Sequence, residues 1–578
     1  CLTSAPGSSQ LMVARFKTFA AATVRWTWFG LLVLLAFAYL VAGLSDPPRR
    51  QDRTSEVASV SSVADSGDRQ SGHNDSLRQT IKQVDERWSQ TLDANGLQAA
   101  EPADWLTVCR RMSLALVGNG LSLEEIRQLE RLPEAEREPA HLRNLLSDSR
   151  FHHYWAERWT RYLVGTDGGE FIVYRRRRFR IWLSEVLAAN RPYDQIVQDL
   201  ITAEGLWTDK PEVNFLTATF DSNDGKADPV RLAARTSRAF LGLRIDCLQC
   251  HNDFLGNVNL GNADDLREGQ QSDFHQLAAF YTSAKTNGLQ GVKTGEVEYN
   301  YKYLDADEEV AVEPGVPFRA DLLPGEGDPR QRLAAWVTHP ENHQAARAAV
   351  SHVWALMFGK PIGESVDNLP LDEPIHPMLT ILAEDFVDNG FDLRRLISVI
   401  AGSAPFRVDS RSDFEITPRH EQHFGVFPLV RLRPEQVAGS IIQASRIKKT
   451  DRESSVFLQL QTLAGTNDFV KQYGDMGEDE FTTDSVTITQ RLLMMNGKLT
   501  REIVDANPVL NASAHIEMFA ADDSAAIETA YLCALNRYPS EAETCHFIER
   551  LSDSTNRGEA IEDLIWVLLN SSELAWNH

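Results

Sequence analysis

From about Ser76 onward, apolar residues recur three and four positions apart in one stretch after another, which places them on single faces of α-helices. Trp105–Leu116 follows this spacing. So does Ser122–Leu132, whose Ser122 and Glu125 form a capping-box signature. Phe151–Leu163 carries Trp155 and Trp159 on one face, which reads as core packing. Ile181–Leu187 and Tyr193–Leu200 continue the pattern, and it resumes at about Asp328. Ala346, Val350, Val353, Trp354 and Met357 define an amphipathic helix stopped by Gly359. Pro377 opens Met378–Val387, and Asn389-Gly390 closes it. Further helical stretches are Leu393–Ala401, Glu435–Arg446, Thr487–Met495, Asp523–Leu535 and Ile561–Asn570. No alternating βαβ pattern is present, so the expected fold class is mainly α. Residues 252–325 break the period. They are rich in Asn, Asp and Gly, and Val297, Tyr299, Tyr301 and Tyr303 alternate as in a strand. An irregular, partly β insertion is expected between two helical regions.

Charge excludes one class of partner. The chain has 58 Lys and Arg against 82 Asp and Glu, a net charge of −24 over 578 residues. Phosphate binding needs a basic surface, so nucleic acid is not expected as the main partner. Trp26–Leu44 contains no charged residue and is near the roughly 20 residues that span a bilayer. Arg15, Lys17 and Arg25 precede it. The expectation is a cytoplasmic N-terminus over 1–25, a transmembrane signal anchor over 26–44 and a single-pass protein of the cell membrane, with its bulk on the extracytoplasmic, periplasmic side. The membrane is then a partner through that helix. The alternative is secretion after signal cleavage. Residues 45–75 lack large apolar side chains and read as a disordered tether.

Six cysteines are too few for a disulfide scaffold, so a close pair is informative. Cys247-Leu248-Gln249-Cys250-His251 is a CxxCH sequence, with a chance expectation of about 0.002 occurrences at this composition. Two thiols at this spacing can add to the two vinyl groups of haem, and the adjacent His can take the iron. A redox-active or disulfide-bonded CxxC pair and a metal site are the competing readings. If haem c binds, His275 is a candidate distal ligand, weighed against an ordinary helix-surface His. His339, His343, His352 and His376 fall close together, but Pro340 places a turn within the HxxxH spacing. Arg175–Arg178 and Arg180 read as a solvated, salt-bridged helix start, with an anionic ligand or lipid headgroup as the alternative. Cys109 reads as a small buried hydrophobe, and Cys533 with Cys545 as a pair that an exported protein can bridge.

The stretch AARTSRAFLGLRIDCLQCHNDF resembles the cytochrome-like domain of planctomycete-type proteins, a domain of unknown function in which an FLG segment leads into CxQCH. RLAAWVTHPENHQAARAAVSHVWALMFGKPIGESVDNLP, continuing through IHPMLTILAEDFVDNGFDLRRLISVIAGSAPFR, resembles the planctomycete-specific domain that follows it. RLRPEQVAGSII, ALNRYPSEAE and DLIWVLLNSSELAWNH are similar to that domain's closing segments. The resemblance implies a cytochrome-like helical domain over 76–285, a β or irregular connector over 286–327 and a helical planctomycete-specific domain over 328–578. The family's function is not established, so the cytochrome-like role, electron transfer or redox sensing with a redox partner protein, is read from the CxxCH residues Cys247, Cys250 and His251 with His275 as candidate distal ligand. The alternatives are an extracytoplasmic metal-assisted enzyme, or a scaffold in which Cys247 and Cys250 form a structural disulfide. The family commonly continues CxxCH with Asp-His-Pro, whereas Asn252-Asp253-Phe254 stands here.

Overall fold

The computed structural model describes residues 65–166, 174–220, 226–262, 265–286, 291–295, 298–371, 374–449, 469–474, 481, 488–497 and 511–578. The fold is mainly α, as the periodicity implies. Its first described helix, Asp65–Ala94, starts inside the segment read as a tether.

Local signals set many of the helix ends. Asp104 opens Trp105–Val117 by accepting from the Leu106 and Thr107 N–H groups. Ser122 and Glu125 form the expected capping box at Leu123–Glu130. His343–Phe358 ends at Gly359, whose φ of 73° is the left-handed conformation that glycine adopts without strain. Pro377 sits in the first turn of Pro377–Asp388, where its missing N–H costs no hydrogen bond. Trp155 and Trp159 are buried in the Ser149–Val164 helix, as expected of a core face.

The strands pair in twos, each pair antiparallel. Asn259–Asn262 with Asp265–Glu268, Ala284–Thr286 with Val292–Thr294, and Asn300–Tyr301 with Val310–Ala311 fall in the expected insertion. Val430–Arg431 pairs with Trp576–Asn577. The tyrosine alternation yields a strand of only Asn300–Tyr301, but its period is informative: Tyr299, Tyr301 and Tyr303 all contact one histidine.

Residues 71–578 form one compact unit. One hydrophobic core runs through it from Val84 to Phe427, and a second, around Val437, Tyr531 and Leu564, joins the C-terminal helices.

The membrane expectation needs correction. No helix among the described residues is long and apolar enough to cross a membrane. The structure therefore supplies no spanning helix through which the membrane would be a partner, and Trp26–Leu44 itself lies outside the described residues.

Candidate functional site

The CxxCH sequence forms a surface turn. Asp246–Gln249 is a 3-10 helix, and the Cys247 carbonyl accepts from the N–H groups of Cys250 and His251 at 3.2 and 3.4 Å. The turn sends one side chain inward and leaves its neighbours at the surface. Leu248 is fully buried, whereas Cys247, Cys250 and His251 are exposed. Both cysteines are free thiols. Burial of its sulfur, and then the charge of Asp253, raise the Cys247 thiol above its ordinary pKa. His251 Nδ1 lies 2.7 Å from the Asn252 carbonyl. A carbonyl only accepts, so in neutral His251 the hydrogen is on Nδ1 and Nε2 keeps its lone pair.

The turn is fixed from behind through the Gln249 carbonyl. This oxygen accepts from His275 Nε2 at 3.1 Å, Tyr301 Oη at 3.1 Å and Gln271 Nε2 at 3.2 Å. His275 is fully buried on the Gln271–Ala279 helix. Its Nε2 donates to the carbonyl, so its Nδ1 accepts from Tyr299 Oη at 2.8 Å. The ring stacks on Tyr301 with centroids 3.4 Å apart. Burial lowers its pKa.

His275 is therefore not placed as a distal ligand: both nitrogens are engaged, and it acts on the turn from the interior. Nor is it the helix-surface His of the alternative reading. Among the described residues, no group of three or more His, Cys, Asp and Glu side chains is arranged to hold a metal ion. No such group accompanies Cys247, Cys250 and His251 among the described residues.

Two of the residues that stand in place of Asp-His-Pro hold backbone groups. Asn252 Oδ1 accepts the Gln271 N–H at 2.8 Å, at the start of the Gln271–Ala279 helix. The Asp253 carboxylate accepts from the N–H groups of Val258 and Leu255, and these bonds hold its pKa below the ordinary value. Phe254 and Leu255 are strongly exposed, and His251 stacks with Phe254 at 6.1 Å.

The remaining candidates separate. His339 lies in a turn, where its Nδ1 accepts the Glu341 N–H, and His343 begins the next helix. His352 is buried between Tyr162 and Trp159, with centroids 3.9 and 4.6 Å away. Burial pushes its pKa down to about 3, and that of His376 to about 4. Arg176 and Arg180 both bond Glu157, in line with a salt-bridged helix start. Cys109 and Cys533 are buried, Cys545 is exposed, and all are free.

Residues 83–286 match PSCyt2, a protein of unknown function (DUF1549), and residues 329–480 match PSD1, a protein of unknown function (DUF1553). The chain carries these two domains in this order. The pairing is typical of planctomycete-type proteins. The CxxCH turn and His275 lie in the DUF1549 domain, and His352 in the DUF1553 domain. No curated protein and no solved structure matches the chain.

Proposed function

We propose that the Cys247–His251 turn is a covalent attachment site for haem c and that the chain serves electron transfer or redox sensing. The observation that carries this reading is the exposure of both thiols on one turn beside a histidine whose Nδ1 is already engaged by a backbone carbonyl. Such a bond fixes the tautomer and orients the other nitrogen toward a metal. Each thiol would add across one vinyl group, its sulfur forming a bond to carbon and its hydrogen going to the neighbouring carbon. Nothing leaves, and no external oxidant is required. His251 Nε2 would hold the iron from one side. Bound haem would supply one-electron chemistry. His275, with Tyr301 and Gln271, would keep the turn in place.

The reading also takes the body to be exported, in the form released by cleavage of the apolar leader.

The test is the full chain produced in a host with haem c maturation. A Soret band that survives acid–acetone extraction, and is lost in Cys247→Ser and Cys250→Ser, is expected. Correctly exported protein without that band would overturn the reading. A mass two hydrogens below that of the reduced chain would then identify a structural disulfide.

A further inference from the structure

The surface beside the CxxCH turn gathers apolar side chains that nothing in the chain covers. Among the described residues, three of the four most exposed large apolar side chains are Leu255, Phe254 and Leu304, at 83, 71 and 67%. They come from two segments that meet at Gln271. Asn252 Oδ1 accepts the Gln271 backbone N–H at 2.8 Å, and Gln271 Oε1 accepts the Leu304 N–H at 3.0 Å. Tyr301 Oη donates to the Gln249 carbonyl, which ties the second segment to the turn itself. One exposed Leu or Phe is ordinary, but three of them around one buried residue mark a surface used for contact.

The charge next to these side chains is one-sided. Asn300–Tyr301 pairs with Val310–Ala311, and the loop between the two strands holds Asp305, Asp307, Glu308 and Glu309 against Lys302 alone. All four acidic residues are exposed, and none makes an ion pair among the described residues. Leu304 directly precedes Asp305, so the apolar and acidic surfaces adjoin.

This charge decides what can cover the apolar side chains. An anionic membrane surface is repelled by the loop. A second copy meeting the same face would bring two acidic loops together. A basic protein surface meets neither obstacle.

We propose that this face is a docking site for a basic partner protein. Apolar side chains of the partner cover Phe254, Leu255 and Leu304, and its Lys or Arg side chains meet the Asp305–Glu309 loop. Interfaces are commonly built with an apolar centre and a polar rim. Burial at the centre supplies affinity, and the rim steers encounter and excludes acidic competitors. The surface is the same whatever Cys247 and Cys250 carry, so this proposal stands apart from the haem reading.

The test titrates the full chain, by calorimetry, with two synthetic peptides of equal charge, one alternating Lys with Leu and one alternating Lys with Ser. The Lys–Leu peptide is expected to bind one site at least about tenfold more tightly, since burying two or three such side chains exceeds a tenfold change in free energy. Phe254→Ser with Leu255→Ser should remove that preference. Asp307→Asn, Glu308→Gln and Glu309→Gln together should weaken both peptides and flatten the dependence on salt. Removing three exposed charges in and beside the Glu541–Ser552 helix, as Glu541→Gln, Glu549→Gln and Asp553→Asn, should leave binding unchanged. Equal affinity for the two peptides, or full binding by the Phe254 and Leu255 variant, overturns the proposal. So does binding to anionic vesicles, or self-association in sedimentation, that the same variant abolishes, since either would assign the face to another occupant.

Discussion

Glu157 shows at the level of one residue how an acidic protein uses its arginines. Burial alone would raise its pKa, but hydrogen bonds from Arg176 and the nearby Arg180 and Arg158 charges outweigh it and hold the value down to about 2. The sign follows directly. A carboxylate depressed in the folded state contributes stability above its unfolded pKa of about 4.3, and that contribution fades as pH falls toward about 2. Its carboxylate is mostly buried, so a contribution of about 2–3 kcal/mol at neutral pH is expected. Glu157→Gln should therefore lower stability at pH 7 by about that amount and little at pH 2. Urea denaturation at both pH values checks this. An equal loss at both would mean that the side chain acts through packing and not through charge. The arginine cluster was legible as a salt-bridged helix start, because four adjacent basic residues in so acidic a chain need partners. The identity of Glu157 as that partner was not, since it comes from the preceding helix.

At the scale of elements, glycine positions separate conformational strain from crowding. Gly359 and Gly390 both have positive φ, 73° and 69°. A Cβ at Gly390 meets nothing within 4 Å, whereas at Gly359 it would lie 2.7 Å from Val430 Cγ1, in the strand that pairs with Trp576–Asn577. Gly390→Ala should cost about 1 kcal/mol from backbone strain alone. Gly359→Ala adds a displaced strand and should cost about 2–4 kcal/mol. Equal losses in chemical denaturation would mean that Val430 moves aside freely. Both glycines were readable as helix stops, because the signal is local. The contact that distinguishes them was not, because Val430 arrives from far along the chain. The candidate site divides in the same way. Cys247, Cys250 and His251 announce themselves by spacing, whereas the role of His275 depends on Tyr299, Tyr301 and the Gln249 carbonyl. No spacing rule joins those groups. The tyrosine alternation was the one available hint, and it was readable only as a strand.

For the whole molecule, the division into two family segments does not correspond to two separate cores. The main core runs from Val84 to Phe427, through both matched segments. Polar contacts cross between them as well. Arg244 holds Asp367 through two bonds of 3.0 and 3.1 Å, and the Gly242 carbonyl accepts the Leu369 N–H. Arg111 is buried in the first segment. It donates to the carbonyls of Phe406, Val408 and His578 at 2.9, 2.8 and 2.8 Å, with its guanidinium 3.8 Å from the centre of the Phe427 ring. Helical periodicity reports only which face of each helix is apolar, not which partner covers it, so the sequence read as two helical regions joined by an insertion. A shared core predicts shared folding. Residues 71–327 and 328–578, expressed separately, should each lack a cooperative thermal transition and bind a dye for exposed apolar surface. Expressed together, they should associate and recover a single transition. Cooperative unfolding of 71–327 alone, at the melting temperature of the full chain, would show that the contacts across Arg111, Arg244 and the common core contribute little to holding the first segment folded.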